Sequence, residues 1–272
     1  MLGTAPAGAA HRNVVFRPEY PMIRRLVAVC LATLISVSPG ALAAFDVADM
    51  DDDDRAAFRA EVRAYLLDNP EVIIEAITIL EQQHAQAQSS SDADLVQRYS
   101  EALLHDGHSW IGGNPDGDVT LVEFVDYRCG FCMRAHPEVT RLLADDGNIR
   151  FVVKEFPILG PQSELAARYA IATLQTRGDD AYAQVHDALL TLRGDLTEQQ
   201  LRRISDEVGL AHDTIQAHMD SAQVDAVIAD NRRLAQSLDI TGTPTFVLGD
   251  EIVRGFLPRA DMQELVEAAR EG

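Results

Sequence analysis

Residues 126–138 read DYRCGFCMRAHPE, which places Cys129 and Cys132 two residues apart directly after an apolar run. A lone C-x-x-C can clamp a metal, staple a chain, anchor a haem or cycle between dithiol and disulfide, and its neighbours must separate these chemistries. Haem attachment requires His immediately after the second cysteine, and this chain has Met133 there. A structural zinc site needs about four ligands, and beyond the two thiols His136 is the one nearby candidate for a third. A staple across two residues closes almost no loop, so it removes little entropy from the unfolded chain. Thiol–disulfide exchange remains, together with transient binding of a soft ion such as Cu(I) by the reduced pair. No resident metal or cofactor is expected; the redox group is the Cys129–Cys132 pair itself.

The elements around the pair support exchange. VTLVEFV (119–125) is a continuous β-type run suited to a strand buried on both faces, and a helix is expected from 129 to about 145. A cysteine at a helix start meets unpaired N–H groups and the positive end of the dipole, which can lower its pKa from about 8.5 to roughly 3.5–7.5. Cys129 is therefore the expected nucleophile, and Cys132, one turn further on, the thiol that resolves the mixed disulfide. Pro137 falls inside this helix, where it costs stability unless the fold requires it. IRFVVKEF (149–156) reads as a second strand, residues 162–238 as helical, TFVLGDEIVRGF (245–256) as a hairpin turning at Gly249-Asp250, and 260–270 as a last helix. Thr243-Pro244 stands just before a strand, where a cis bond suits it; an ordinary trans turn proline is the alternative.

Strand, helix, strand, helical insertion, hairpin, helix is the layout of an α/β, thioredoxin-like domain with an inserted helical subdomain. On these residues the chain resembles the DsbA family of bacterial thiol:disulfide oxidoreductases: the C-x-x-C, the proline five residues after its second cysteine and the Thr243-Pro244 loop all match. The resemblance covers about residues 109–270 and implies formation or isomerisation of disulfides in exported proteins, with a membrane redox partner recycling the pair. It further implies that Thr243 and Pro244 lie beside the nucleophile and pair with the client backbone. Gly130-Phe131 stands where strongly oxidising relatives have Pro-His, and Thr243 where they have Val. Both choices look more like the isomerases DsbC and DsbG and imply a weaker oxidant. Phe131 is also a candidate client contact. Glu123, six residues before Cys129, is costly to bury in an apolar strand unless paired or protonated. It matches the family's buried glutamate, which implies proton exchange with Cys132, with Lys154 on the next strand as its expected partner; a purely structural Glu123–Lys154 pair is the alternative. His136 is expected to pack rather than to act in catalysis.

The N-terminal third is organised differently. Arg24-Arg25 lead into LVAVCLATLISV (26–37), too short to span a bilayer, and Ala41-Leu42-Ala43 offers a cleavage site. Residues 1–43 are therefore expected to be an upstream extension plus signal peptide, with Met22 the natural start, Cys30 discarded, and the product exported to the periplasm. Its removal leaves a net charge of −23, against −20 for the full chain, which argues against nucleic acid as a partner. Residues 44–93 read as a helical module and linker ahead of a catalytic domain at 94–272. Asp51–Asp54 suit a helix N-terminus, without the spaced oxygen ligands of a calcium loop. Asn69-Pro70 restarts a second amphipathic pattern, and QAQSSSDAD (86–94) reads as a polar break, a continuous helix through it being the alternative. Two short apolar faces need a partner surface, and RAYLLDNPEVIIEAI (63–77) resembles the N-terminal module of the ScsC-like subgroup, which oligomerises in some members. A homo-oligomer through 44–88 is the corresponding expectation. A copper-handling protein that uses the reduced cysteine pair as a Cu(I) ligand is the alternative function.

Overall fold

The computed structural model describes residues 50–271. The expected signal peptide, its cleavage site and Cys30 lie outside the described residues. Two units are distinguished, one ending at Pro70 and one beginning at Glu71. In the first, α1 (Asp52–Asp68) starts at Asp51, whose carboxylate accepts from the N–H groups of Asp53 and Asp54 at 3.0 and 2.9 Å. The acidic run is thus a helix cap, which satisfies donors that no helical carbonyl can reach. No residue of α1 is buried, and Phe58, Val62, Tyr65 and Leu67 are all exposed.

The second unit opens with α2 (Glu71–Arg98), 28 residues long and unbroken through QAQSSSDAD. Its Ala and Gln residues keep the helix going, and Ser90 returns its hydroxyl to the carbonyl of Gln86. Ile73, Ile74, Ile77, Ile79 and Leu80 are exposed, whereas the C-terminal end docks through buried Asp92 and Val96. Arg254 holds Asp92 with both terminal nitrogens, at 2.7 and 2.9 Å. A short α3 (Ser100–Leu104) then leads into the sheet.

Five strands stand in the order β1-β3-β2-β4-β5. Their ranges are β1 Trp110–Gly113, β2 Val119–Val125, β3 Ile149–Glu155, β4 Thr245–Leu248 and β5 Glu251–Arg254. β2 and β3 are parallel and joined by α4 (Gly130–Asp146); the other pairings are antiparallel. β2 is buried on both faces, as its unbroken apolar run predicts: Leu121 and Val125 face one core, Val122 and Phe124 the other. β1 has no counterpart in the sequence reading. Two of its four residues are glycines that look like a turn, yet Gly113 has φ +65° and lies so close to the Ile149 carbonyl that a Cβ would sit 2.4 Å from it. Helices α5 (Pro161–Arg177), α6 (Asp179–Thr191), α7 (Glu198–Glu207), α8 (His212–His218) and α9 (Ala222–Ser237) form the insertion between β3 and β4, and α10 (Arg259–Glu271) follows the hairpin. No described helix is long and apolar enough to cross a membrane.

The Asp92–Arg254 pair ties the end of α2 to the edge strand β5. Arg254→Ala leaves a buried carboxylate without its counter-charge and is expected to lower the unfolding free energy by about 1–3 kcal/mol, read by urea denaturation.

Candidate active site

Two chain segments more than a hundred residues apart make the site. Cys129 is the N-cap of α4, with φ −78° and ψ 117°, and its carbonyl accepts the first helical N–H, from Met133, at 3.0 Å. From the far side, the cis Thr243–Pro244 bond presents the Thr243 carbonyl, which accepts from Cys129 Sγ at 3.1 Å. Both thiols are free. Cys129 is 7% exposed and Cys132 not at all, so Cys129 is the one a reactant can reach.

Their acidities diverge. The Cys132 thiol donates to the Cys129 sulfur and does most to favour its thiolate; burial opposes, and the Thr243 hydroxyl and the N–H groups of Cys132 and Phe131 add to it, bringing Cys129 down to about 5. Cys132 is pushed far upward, first by burial, then by its bond to Cys129 and the nearby Glu123 carboxyl. One sulfur is a thiolate at neutral pH and the other needs a base before it can act.

Glu123 lies fully buried on the same sheet face as the two cysteines, with Oε1 unpartnered. Burial raises it first, the Glu155 and Cys129 charges further, to about 8. The expected pair with Lys154 does not form. In the parallel register Glu123 is opposite Val153 and Phe124 opposite Lys154, so the lysine projects from the other face. There Lys154 Nζ, fully buried, donates to Asp106 Oδ2 at 2.5 Å and to the Ala102 carbonyl at 2.8 Å. Burial alone would raise Asp106; the ammonium overrides it and holds the acid at about 2.

Several site residues escaped the sequence reading. Asp126, buried, accepts from the N–H groups of Arg128, Ile158 and Leu159 at 2.8, 2.8 and 3.1 Å, tying the loop after β3 to the end of β2. Glu155 accepts from Tyr127 and Tyr182, and burial outweighs both donors to leave it at about 8. Strand alternation carried a signal for Glu155, because it lies two residues beyond Val153, the partner of Glu123. Gly130 and Phe131 form the first turn of α4; Phe131 is 55% exposed, and the Arg134 guanidinium lies 5.6 Å from its ring centroid and 4.7 Å from that of Phe256. His136 turns to Asp187, at 2.8 Å, and packs against the ring of His186.

A low-pKa cysteine capping a helix, a second cysteine buried one turn on and a cis-proline loop, all on a five-stranded sheet with inserted helices, define a DsbA-like thiol–disulfide oxidoreductase domain. Residues 120–269 match the family of DSBA-like thioredoxin domains, and the chain belongs to that family. Residues 54–87 match the N-terminal domain of the copper resistance protein ScsC. A thioredoxin-like oxidoreductase of Silicibacter pomeroyi is 42% identical, with a TM-score of 0.60, over 63% of this chain and 98% of that one. BcfH of Salmonella enterica Typhimurium is 27% identical, with a TM-score of 0.66, over 80% and 96%. The Na(+)/H(+) antiporter NhaA 3 of Salinispora tropica is 30% identical over 138 residues, half of this chain, and the matched segment spans 21% of that antiporter's length.

Two outcomes follow from the buried charges. Lys154→Met strands the Asp106 carboxylate and is expected to cost about 2–4 kcal/mol of stability while leaving the thiolate absorbance titration of Cys129 in place. Glu123 keeps, in the folded protein, a proton that the unfolded chain releases near 4.5, so stability falls as pH rises from there to about 8. Glu123→Gln removes that loss: its unfolding free energy should match wild type near pH 5 and exceed it at pH 8 by about 1–3 kcal/mol.

Proposed function

We propose that the protein is an exported thiol:disulfide oxidoreductase that forms or isomerises disulfide bonds in periplasmic or secreted proteins. The observation that carries this reading is the split in acidity between Cys129 and Cys132. The Cys129 thiolate attacks a client disulfide: one sulfur–sulfur bond breaks, a Cys129–client bond forms, and the other client sulfur leaves as a thiolate. Cys132 then attacks Cys129 Sγ, giving up its proton to Glu123; the client leaves reduced and the Cys129–Cys132 disulfide forms, so two electrons pass to the client. Run in reverse, the same steps oxidise a client dithiol, and a membrane redox partner restores the pair. Gly130, with open space where a side chain would be, lets a client strand approach the Thr243-Pro244 loop. Phe131, Ile158 and Leu159, exposed apolar residues, offer contacts to unfolded clients.

The exposed apolar residues of α1 and those of the free part of α2 each need cover, and the match to the ScsC N-terminal domain supports a homo-oligomer through residues 44–88. Several sites facing one mispaired client favour isomerisation. The same match favours a second reading, in which the reduced pair retains Cu(I).

Reactivation of scrambled ribonuclease separates these. The mature chain should reactivate it as an oligomer, and a form beginning before Gln88, which keeps the Gln88–Asp92–Arg254 contacts, should be monomeric and reactivate it at least about tenfold more slowly. Cys129→Ser should abolish activity, and Cys132→Ser should accumulate a mixed disulfide visible by mass. Equal, feeble reactivation by both lengths with rapid oxidation of reduced client would make the protein an oxidase. Stoichiometric Cu(I) retention with negligible turnover would favour the copper reading.

A further inference from the structure

Glu155 closes β3 and has no part in the exchange just described, yet it lies at the end of a series of donors. Tyr182 Oη donates to Glu155 Oε1 at 2.5 Å, and Tyr127 Oη donates to the same oxygen at 2.9 Å. Tyr127 Oη in turn lies 2.9 Å from His186 Nδ1. Burial, with His136 adding, pushes His186 down to about 3, so the ring is neutral. Both phenols are driven well above their ordinary range by burial and stay protonated. Two phenols thus donate to one carboxylate oxygen, an arrangement that favours a negative charge there.

Glu123, on the same face of the neighbouring strand, has no such donors: its Oε1 is buried and unpartnered, as is Glu155 Oε2, so the two acids differ in the phenols that serve Glu155 Oε1. The other groups around the two acids do not change this. Asp126 is engaged by three backbone N–H groups, and Asn231 donates to the Glu155 backbone carbonyl at 3.1 Å. Cys129 and Cys132 approach from α4, while Phe246 of β4 and Met262 and Val266 of α10 bring no charge. No Lys or Arg side chain among the described residues bonds either carboxylate, and Lys154 faces the opposite side with Asp106.

We propose that Glu155 and Glu123 form a coupled pair in which Tyr127 and Tyr182 direct the pair's first negative charge to Glu155, keeping Glu123 protonated and set to give its proton to Cys132. The inference rests on Glu123 as the proton partner of Cys132. When a client thiolate attacks Cys129 Sγ of the disulfide, the Cys129–Cys132 bond breaks, and the departing Cys132 sulfur takes the bonding electron pair and then the Glu123 proton. In the reverse step Cys132 must lose its proton to an ionised Glu123, which the charge on Glu155 opposes. Glu155 is therefore a positioning residue that biases the direction of proton flow.

The test is the pH dependence of the resolving step in the full chain. Reduced protein is mixed with oxidised glutathione, quenched with acid, and the decay of the Cys129–glutathione adduct followed by mass. Glu155→Gln should move the rising limb of the rate to lower pH by at least about one unit, and Tyr182→Phe should move it the same way by less. Glu123→Gln should abolish the limb. An unmoved limb in both Glu155→Gln and Tyr182→Phe, with Glu123→Gln still abolishing it, overturns the pair. A limb that survives in Glu123→Gln overturns instead the reading of Glu123 on which the pair rests. Should Glu155→Gln fail to fold, Tyr182→Phe alone decides.

Discussion

The register of the parallel β2–β3 pair governs the chemistry of the interior. With Glu123 opposite Val153 and Phe124 opposite Lys154, Glu123 and Glu155 fall on the cysteine face of the sheet, and the lysine that could neutralise them falls on the other. A slip of one residue would bring Lys154 beneath Cys132 and convert a protonated glutamate into an ion pair. Instead the lysine is consumed by Asp106 and the Ala102 carbonyl, and the cysteine side keeps an excess of carboxyl groups in an environment that disfavours charge. The raised acidity constants of Glu123 and Glu155 follow from that segregation.

The two thiols use the same helix start to opposite ends. Cys129, as the N-cap, collects N–H donors and the Cys132 thiol, which stabilise its anion. Cys132, one turn in, is removed from water and faces Glu123, which destabilises its own. A thiol ionised at neutral pH beside one that keeps its proton is the division that the proposed thiol–disulfide exchange draws on. The Thr243 loop contributes from the other end of the fold, where its carbonyl accepts from the Cys129 thiol.

Much of this was legible in the chain. The β-type run before Cys129, the helix starting there and the hairpin after Pro244 are local patterns, and the structure reproduces them at nearly the expected residues. Where reading failed, the cause was non-local. β1 is four residues at a sheet edge, with glycines that serve close backbone approach and look like turn punctuation. The α2 helix runs on through a Ser- and Asp-rich stretch, the alternative that its Ala and Gln residues left open, and Arg254, distant in sequence, takes up Asp92 near its end. Asp126, Tyr127, Tyr182 and His186 carried no motif, since each gains its part from a partner on another element.

The sequence by itself pointed to the type of chemistry: the C-x-x-C at a strand-to-helix junction, the apolar strand carrying Glu123 and the Thr-Pro loop favour thiol–disulfide exchange on an α/β fold. Tertiary structure alone decided which charges meet. Pairing between strands fixes side-chain direction through a two-residue alternation whose register no local pattern records, and so assigned Lys154 to Asp106 and left Glu123 facing Glu155.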